Sequence, residues 1–164
     1  MSSRSAGLGS LAFFLAAPTT MGVLLPALLS DWSGDPAPAP AVSLLGAIVA
    51  LAGLATVVAC FARFVTEGHG TPAPIAPTEE LVVGGLYRHV RNPMYVGVIA
   101  LIAGQAIAFA SVPVAVYAAV FAAVVVSFVR LYEEPALTEQ HGAAYERYRA
   151  AVPGWIPRLR PWPG

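Results

Sequence analysis

Lysine is absent from this sequence, and charge of either sign is scarce. The nine basic residues are all arginine, and only 11% of the residues are charged, whereas soluble domains carry about 25%. No charged residue occurs within residues 5–30, 36–62 or 92–129. Stretches this long leave too little polar material to face water. The composition therefore argues against a soluble domain and predicts an integral membrane protein.

Cysteine and histidine are also rare. The single cysteine, Cys60, excludes a disulfide within the chain and a cysteine metal cluster. The three histidines, His69, His89 and His141, have irregular spacing that matches no metal-binding pattern. The formal net charge is zero, which gives no support for a nucleic-acid partner. We therefore expect neither a metal site nor nucleic-acid binding.

The apolar stretches predict four membrane helices. A helix needs roughly 20 residues to cross about 30 Å of hydrocarbon. The apolar run 93–129 would be ~55 Å long as one helix at about 1.5 Å per residue, so it must fold back, and Pro113 supplies the break. The fold class is then all-α, a single membrane domain over residues 1–164. The predicted spans are residues 7–29, 41–64, 93–110 and 113–131.

The arginines predict the orientation. Arg4 precedes the first span, and the other arginines lie around the loop between spans 2 and 3 or towards the end of the chain. The loop between spans 1 and 2 holds Asp31 and Asp35 and no basic residue. The positive-inside rule places both termini in the cytoplasm, with the protein integral to the plasma membrane. The cytoplasmic elements are then about residues 68–97 and 130–158.

The first span has an alternative interpretation as a cleaved signal peptide. Arg4, the apolar run and the small residues 37–39 resemble the parts of a secretion signal. The apolar stretch is longer than the core of such a signal, and Pro40 would follow the cleavage point directly. The sequence therefore favours a retained span.

A first polar cluster precedes the third span. Pro93 suits the first turn of a helix, and Asn92 would then occupy the N-cap position. The start of this helix exposes free backbone N–H groups beside Arg88, Arg91 and Tyr95, and such an end can hold a carboxylate or another anion. The alternative is that the arginines only anchor the protein at the membrane interface.

A second polar cluster follows the fourth span. The adjacent carboxylates of Glu133 and Glu134 require a positive partner if they are desolvated. Arg130 lies four residues before Glu134 on the same helix and is one candidate. Arg88 and Arg91 are the others, since both clusters are predicted on the cytoplasmic side.

One face of a cytoplasmic helix follows the two glutamates. Apolar and aromatic residues recur there at spacings of three and four, at positions 137, 141, 145, 148 and 152. The face either lies flat against the bilayer as an interfacial helix or closes a pocket over the ends of the membrane helices. The residues alone leave both possibilities open.

Gln105 is a polar residue near the middle of the third span. An unpaired amide is costly in hydrocarbon, so its side chain should face the helix bundle. It either forms a hydrogen bond between helices or contacts a substrate.

Five short motifs occur in a fixed order over about residues 80–158. Together they resemble the isoprenylcysteine carboxyl methyltransferase family and its relatives, which include phospholipid N-methyltransferases. The family pattern is a Gly-x-Tyr turn, an Arg-(His/Asn)-Pro-x-Tyr-x-Gly helix start, a Glu-Glu-x-x-Leu segment, a Gly-x-x-Tyr-x-x-Tyr helix and a Val-Pro ending. In this chain the motifs are residues 85–87, 91–97, 133–137, 142–148 and 152–153.

The resemblance implies an S-adenosylmethionine-dependent methyltransferase whose cofactor lies between two walls at the cytoplasmic membrane face. The resemblance assigns catalytic roles to Arg91, Asn92, Glu133 and Glu134. The first wall comprises Tyr87, His89, Val90, Arg91, Asn92, Pro93, Tyr95 and Gly97. The second comprises Glu133, Glu134, Tyr145 and Tyr148, with Gln105 assigned to the substrate.

The resemblance leaves the acceptor open. Asn92 stands where the isoprenylcysteine branch often has histidine, so a prenylated carboxylate, a lipid amine and a hydrophobic thiol all remain candidates. The expected partners are membrane lipids and a hydrophobic or lipid-linked substrate. The competing hypothesis is a small non-enzymatic membrane protein, such as a transporter subunit or an assembly factor. A family member that keeps the pocket without turnover is a third.

Overall fold

The computed structural model describes residues 17–30, 38–66 and 81–164, and within these ranges the chain forms helices, turns and irregular segments with no strand. This confirms the predicted all-α class for the described residues. The six helices described here are α1 (Ala17–Ser30), α2 (Pro40–Thr66), α3 (Pro93–Ala108), α4 (Val112–Phe128), α5 (Glu134–His141) and α6 (Ala143–Ala151).

Two helical stretches, Pro40–Arg63 and Val112–His141, are long and apolar enough to cross a membrane. The second combines α4 and α5, because a π-helical turn at Val129–Glu133 joins them without a break. Helices α1 and α3 are apolar but shorter, so four spans remain a prediction. The predicted start of the first span, residues 7–16, lies outside the described residues.

Helices α2 and α3 are antiparallel and touch backbone to backbone, because glycines face each other along their contact. Gly46 lies against Gly104 and Ala108, and seven residues further Gly53 lies against Gly97. A Cβ atom added to Gly53 would lie 2.5 Å from the Gly97 carbonyl oxygen, a distance that no side chain tolerates. Small residues allow such close approach in membrane bundles. The contact fixes the position of α3 and therefore of its first turn.

The chain reverses between α3 and α4 at residues 109–111. Ala110 there takes a φ of 49°, and the Ser111 hydroxyl accepts a hydrogen bond from the Val114 N–H at 3.4 Å. Pro113 occupies the first turn of α4, where a missing N–H costs nothing. The reversal lays α4 back against α3.

Two backbone carbonyls of α1 lose their helical N–H donors next to Pro26, and side chains of other helices donate to them instead. Pro26 has no N–H for the Gly22 carbonyl. The Leu25 N–H donates to the Thr20 carbonyl, one residue beyond the α-helical partner. The Gln105 Nε2 group donates to the Gly22 carbonyl oxygen at 2.6 Å.

The hydroxyl of Tyr117 on α4 completes this arrangement by donating to the Met21 carbonyl oxygen at 2.9 Å. Gln105 also donates to the Leu101 carbonyl within its own helix at 3.0 Å. Gln105 therefore forms the bond between helices that was one of its two predicted roles. A contact between Gln105 and substrate stays a prediction.

Replacing Gln105 by leucine should lower the free energy of unfolding by about 1–2 kcal/mol, because the buried Gly22 carbonyl loses its donor. In a Pro26→Ala background the backbone N–H of residue 26 is restored. The same Gln105→Leu change should then cost clearly less. Detergent-solubilised variants can be compared by thermal unfolding, and an equal loss in both backgrounds would contradict this account of α1.

Candidate active site

The approach to α3 is a short 3-10 turn, Gly85–Arg88. Gly85 has a φ of 56°, which glycine adopts without the steric cost of a Cβ. The turn buries Tyr87 against Cys60 and Val82. Tyr87 and His89 line a cleft of about 370 Å³ beside the end of α2.

The segment 88–92 is held by the last part of the chain. Residues 152–162, called the C-terminal strap below, run alongside it and form backbone hydrogen bonds at both ends. The His89 ring adds a contact of 2.8 Å between Nδ1 and the Arg158 carbonyl oxygen, so Nδ1 carries the proton. The backbone bonds are Arg91 N–H to Pro153 O, Asn92 N–H to Gly154 O, Arg158 N–H to His89 O and Trp162 N–H to Arg88 O, at 2.9–3.2 Å.

Asn92 occupies the predicted N-cap position of α3, but its side chain does not cap the helix. The amide donates instead to the Gly154 carbonyl oxygen at 3.0 Å, so the expectation of a side-chain cap was wrong. Local pattern gave no sign of this partner, because it lies 62 residues away. The N–H groups of Met94 and Tyr95 in the first turn consequently do not donate to the Asn92 side chain.

The second polar cluster meets the first through Glu134. The Arg91 Nη1 group lies 2.8 Å from one carboxylate oxygen of Glu134, and the Arg149 Nη2 group lies 3.2 Å from the other. Arg91 Nη1 also donates to the Tyr145 hydroxyl at 3.2 Å. The partner suggested by the helical spacing, Arg130, is exposed at the protein surface instead.

Glu133 engages a different partner on α3. The Tyr95 hydroxyl donates to its carboxylate at 2.9 Å, and the Tyr95 ring lies 6.5 Å from that of Trp155 in the strap. The π-helical turn ends at Glu133 and α5 begins at Glu134. A π turn changes the direction of successive side chains relative to an α-helix, and such turns are frequent at functional sites.

The helix predicted after the glutamates is broken in two. Gly142, with a φ of 50°, separates α5 from α6, so a single amphipathic helix was the wrong expectation. The predicted face nevertheless packs against protein: Tyr145, Tyr148 and Val152 are buried together. The Tyr148 hydroxyl donates to the Tyr87 carbonyl oxygen at 2.6 Å. This face therefore covers the 3-10 turn and does not lie on lipid.

Burial keeps the tyrosine hydroxyls of this region protonated. Desolvation raises the pKa of Tyr145, and the nearby Arg91 guanidinium partly opposes the rise. Desolvation likewise raises the pKa of Tyr148 and that of Tyr87. All three groups remain neutral at physiological pH, so they can donate hydrogen bonds.

The structure does not bring all predicted residues to one place. Val90 and Pro93 are buried beside the cluster, whereas Gly97 lies at the contact with α2. Gln105 is fourteen residues along α3 from Arg91, which is roughly 20 Å of helix. The compact cluster consists of Arg91, Tyr95, Glu133, Glu134 and Tyr145.

Sequence reasoning did not single out several residues that complete this cluster. Arg149 lies four residues after Tyr145 on α6, so helical spacing was a usable signal. Gly154, Trp155 and Trp162 left no such signal, because their contacts depend on the distant pairing of the strap.

One donor in the cluster has no partner. The Arg91 Nε atom is buried and forms no hydrogen bond within the described part of the chain. Buried donors are normally paired, so this atom fits an anionic group such as a carboxylate. The uncapped first turn of α3 offers further donors, and the two glutamates offer acceptors for a cation. Among residues 17–30, 38–66 and 81–164, no three metal-ligating side chains gather.

A family model described as phospholipid methyltransferase matches residues 42–144, more than half of the chain. The match runs from the start of α2 to the start of α6 and includes both glutamates and the start of α3. No curated protein and no solved structure matches.

Replacing Glu134 by glutamine should lower the free energy of unfolding by about 1–3 kcal/mol, because Arg91 loses a largely buried charged acceptor. The matched control is Glu139→Gln on the same helix, an exposed site where changes stay within about 0.5 kcal/mol. Thermal unfolding in detergent measures both. If the two variants were equally stable, the pair with Arg91 would not contribute to the fold.

Proposed function

The chain belongs to the phospholipid methyltransferase family, and from this premise we propose that it transfers a methyl group from S-adenosylmethionine to a hydrophobic or lipid-like acceptor at the cytoplasmic face of the plasma membrane. Membership implies methyl transfer with this donor. The acceptor group, the orientation and the roles of individual residues are the proposal's own content.

The meeting of two distant segments carries the proposal. Arg91 and Glu134 are 43 residues apart in sequence, and Tyr95 and Glu133 are 38 apart, yet both pairs are in hydrogen-bond contact. These residues belong to the two motifs that the family resemblance places around the cofactor. An arginine that only anchors the protein at the membrane interface would not require a buried glutamate partner from another helix.

The cluster suits the chemistry of the donor. The carboxylate of S-adenosylmethionine would be held by Arg91 Nε and the first-turn N–H groups of α3. Glu133 or Glu134 would accept from the ammonium group or the ribose hydroxyls. The partly exposed ring of Trp155 suits a sulfonium or an adenine ring.

Bound there, S-adenosylmethionine would supply a methyl group activated by its sulfonium for transfer to the acceptor, with S-adenosylhomocysteine as the product. The protein's part is to align the acceptor with that methyl group and to exclude water. A carboxylate or thiolate acceptor needs no base at that moment. An amine acceptor must lose a proton, which Glu133 or Glu134 would accept.

The membrane arrangement we propose has four spans with both termini in the cytoplasm. The arginine distribution supports the orientation, and the two long apolar helices support the membrane location. An acceptor with a lipid tail would then enter sideways between helices, while the donor arrives from the cytoplasm. Transport is less well supported, since α4 carries no Asp, Glu, Lys, Arg or His along its length.

Purified protein in detergent should bind S-adenosylhomocysteine, as measured by isothermal calorimetry. Arg91→Ala or Glu134→Ala should weaken binding at least tenfold, a loss of about 1.4 kcal/mol, because each removes part of the cluster. Arg130→Ala and Glu139→Ala are the controls, since both residues are exposed. A folded preparation that does not bind would favour the non-enzymatic alternative.

The acceptor can be identified with methyl-labelled donor and three lipid-soluble substrates: an aminophospholipid, a prenylated cysteine and a long-chain thiol. We expect label in at least one product, and Arg91→Ala should abolish it. Base treatment then separates the classes, because only a methyl ester releases volatile methanol. Binding of the cofactor without transfer to any of the three would instead indicate a protein that has lost turnover.

A further inference from the structure

The outer surface of the C-terminal strap is unusually apolar for an irregular segment. Ile156 is 80% exposed and Leu159 is 98% exposed, although the strap's backbone is firmly bonded to residues 88–92. A segment held this way cannot turn its apolar side chains inward. Ile156 and Leu159 lie three residues apart on this fixed element, and exposed large apolar side chains there can meet another apolar phase.

The strap also carries an exposed arginine next to Leu159 in the sequence. No acidic residue follows Glu146 in the sequence, whereas Arg158 and Arg160 lie within the strap. Arg158 is turned inward and donates to the Ala151 carbonyl oxygen at 2.8 Å. Arg160 is exposed and enters no ion pair with any described residue. An exposed arginine beside apolar side chains complements an anionic lipid surface.

The strap also lies at the depth where the apolar helices end. It pairs with the residues that directly precede α3, and Trp155 packs near Tyr95 in the first turn of α3. Tyr95 in turn contacts Glu133, where the apolar α4 gives way to polar residues. If α3 and α4 cross the bilayer as proposed above, the strap lies at the interface.

We infer that the outer surface of the strap rests on the membrane, with Ile156 and Leu159 in the interfacial layer and Arg160 on anionic lipid headgroups. Because the strap's backbone holds Arg91 and Asn92, this contact would also steady one wall of the candidate active site. The inference rests on the membrane location in the proposed function and not on cofactor binding.

The test is a nitroxide spin label at Leu159→Cys in the full-length protein, reconstituted in nanodiscs of neutral lipid or of neutral lipid mixed with phosphatidylglycerol. Leu159 is almost fully exposed, so the substitution leaves the packing intact. The native Cys60 is fully buried, and unsubstituted protein measures any background labelling. Glu139→Cys, at an exposed acidic position on α5, is the aqueous control.

Collisions with oxygen should exceed those with a water-soluble nickel chelate at position 159, and the ratio should reverse at position 139. The label should lie deeper in anionic than in neutral nanodiscs, and adding Arg160→Gln should remove that difference. A water-exposed label at 159 in both lipids would overturn the inference. If the label at position 159 lies in the apolar layer at the same depth in both lipids, the proposed role of anionic headgroups is overturned.

These outcomes are independent of the methyl-transfer experiments. The labelled protein needs no cofactor, so a membrane-bound strap without S-adenosylhomocysteine binding would leave the inference standing and remove the enzyme proposal. Binding of S-adenosylhomocysteine together with a water-exposed strap would support the enzyme proposal and overturn the inference.

Discussion

The ion pair between Arg91 and Glu134 is the interaction on which the candidate site depends. It joins the segment before α3 to the start of α5, and both side chains are largely shielded from water. Two charges in such a setting are stable only as a well-bonded pair, since either one alone would face a large desolvation cost. Tyr145 contacts Arg91 and Arg149 contacts Glu134, while the Arg91 Nε donor has no partner within the described part of the chain. The pair therefore sets the register between the two halves of the site.

Rigid packing elsewhere makes that register possible. The glycines of α2 and α3 let the two backbones meet, which fixes the axis of α3. Tyr148 bonds to the backbone of the 3-10 turn, and the strap holds the residues that follow it. Arg91 is thus positioned by its own backbone on one side and by Glu134 on the other. These contacts hold Arg91, Glu134 and Tyr145 in fixed positions relative to one another.

The sequence predicted what depends on composition and local pattern. Long charge-free stretches predicted the helical class, and the order of short motifs predicted the family, which the family match confirms. The sequence did not predict contacts between residues that lie far apart in the chain. The sequence left Arg130, Arg88 and Arg91 open as partners of Glu134, and the tertiary contact is with Arg91. Asn92 occupies the predicted N-cap position, but its amide nitrogen donates to the strap's Gly154 carbonyl and its side chain does not cap the helix. The periodic face after Glu134 was real, but Gly142 divides it between two helices.

The most direct measurement of the central claim is an experimental structure of the protein with S-adenosylhomocysteine bound, in a lipid nanodisc. The account predicts the ligand between the start of α3 and the α5–α6 segment, with its carboxylate at Arg91 Nε and Glu133 or Glu134 against its amine or ribose. A ligand bound elsewhere, with Arg91 and Glu134 still paired only to each other and their present neighbours, would contradict it.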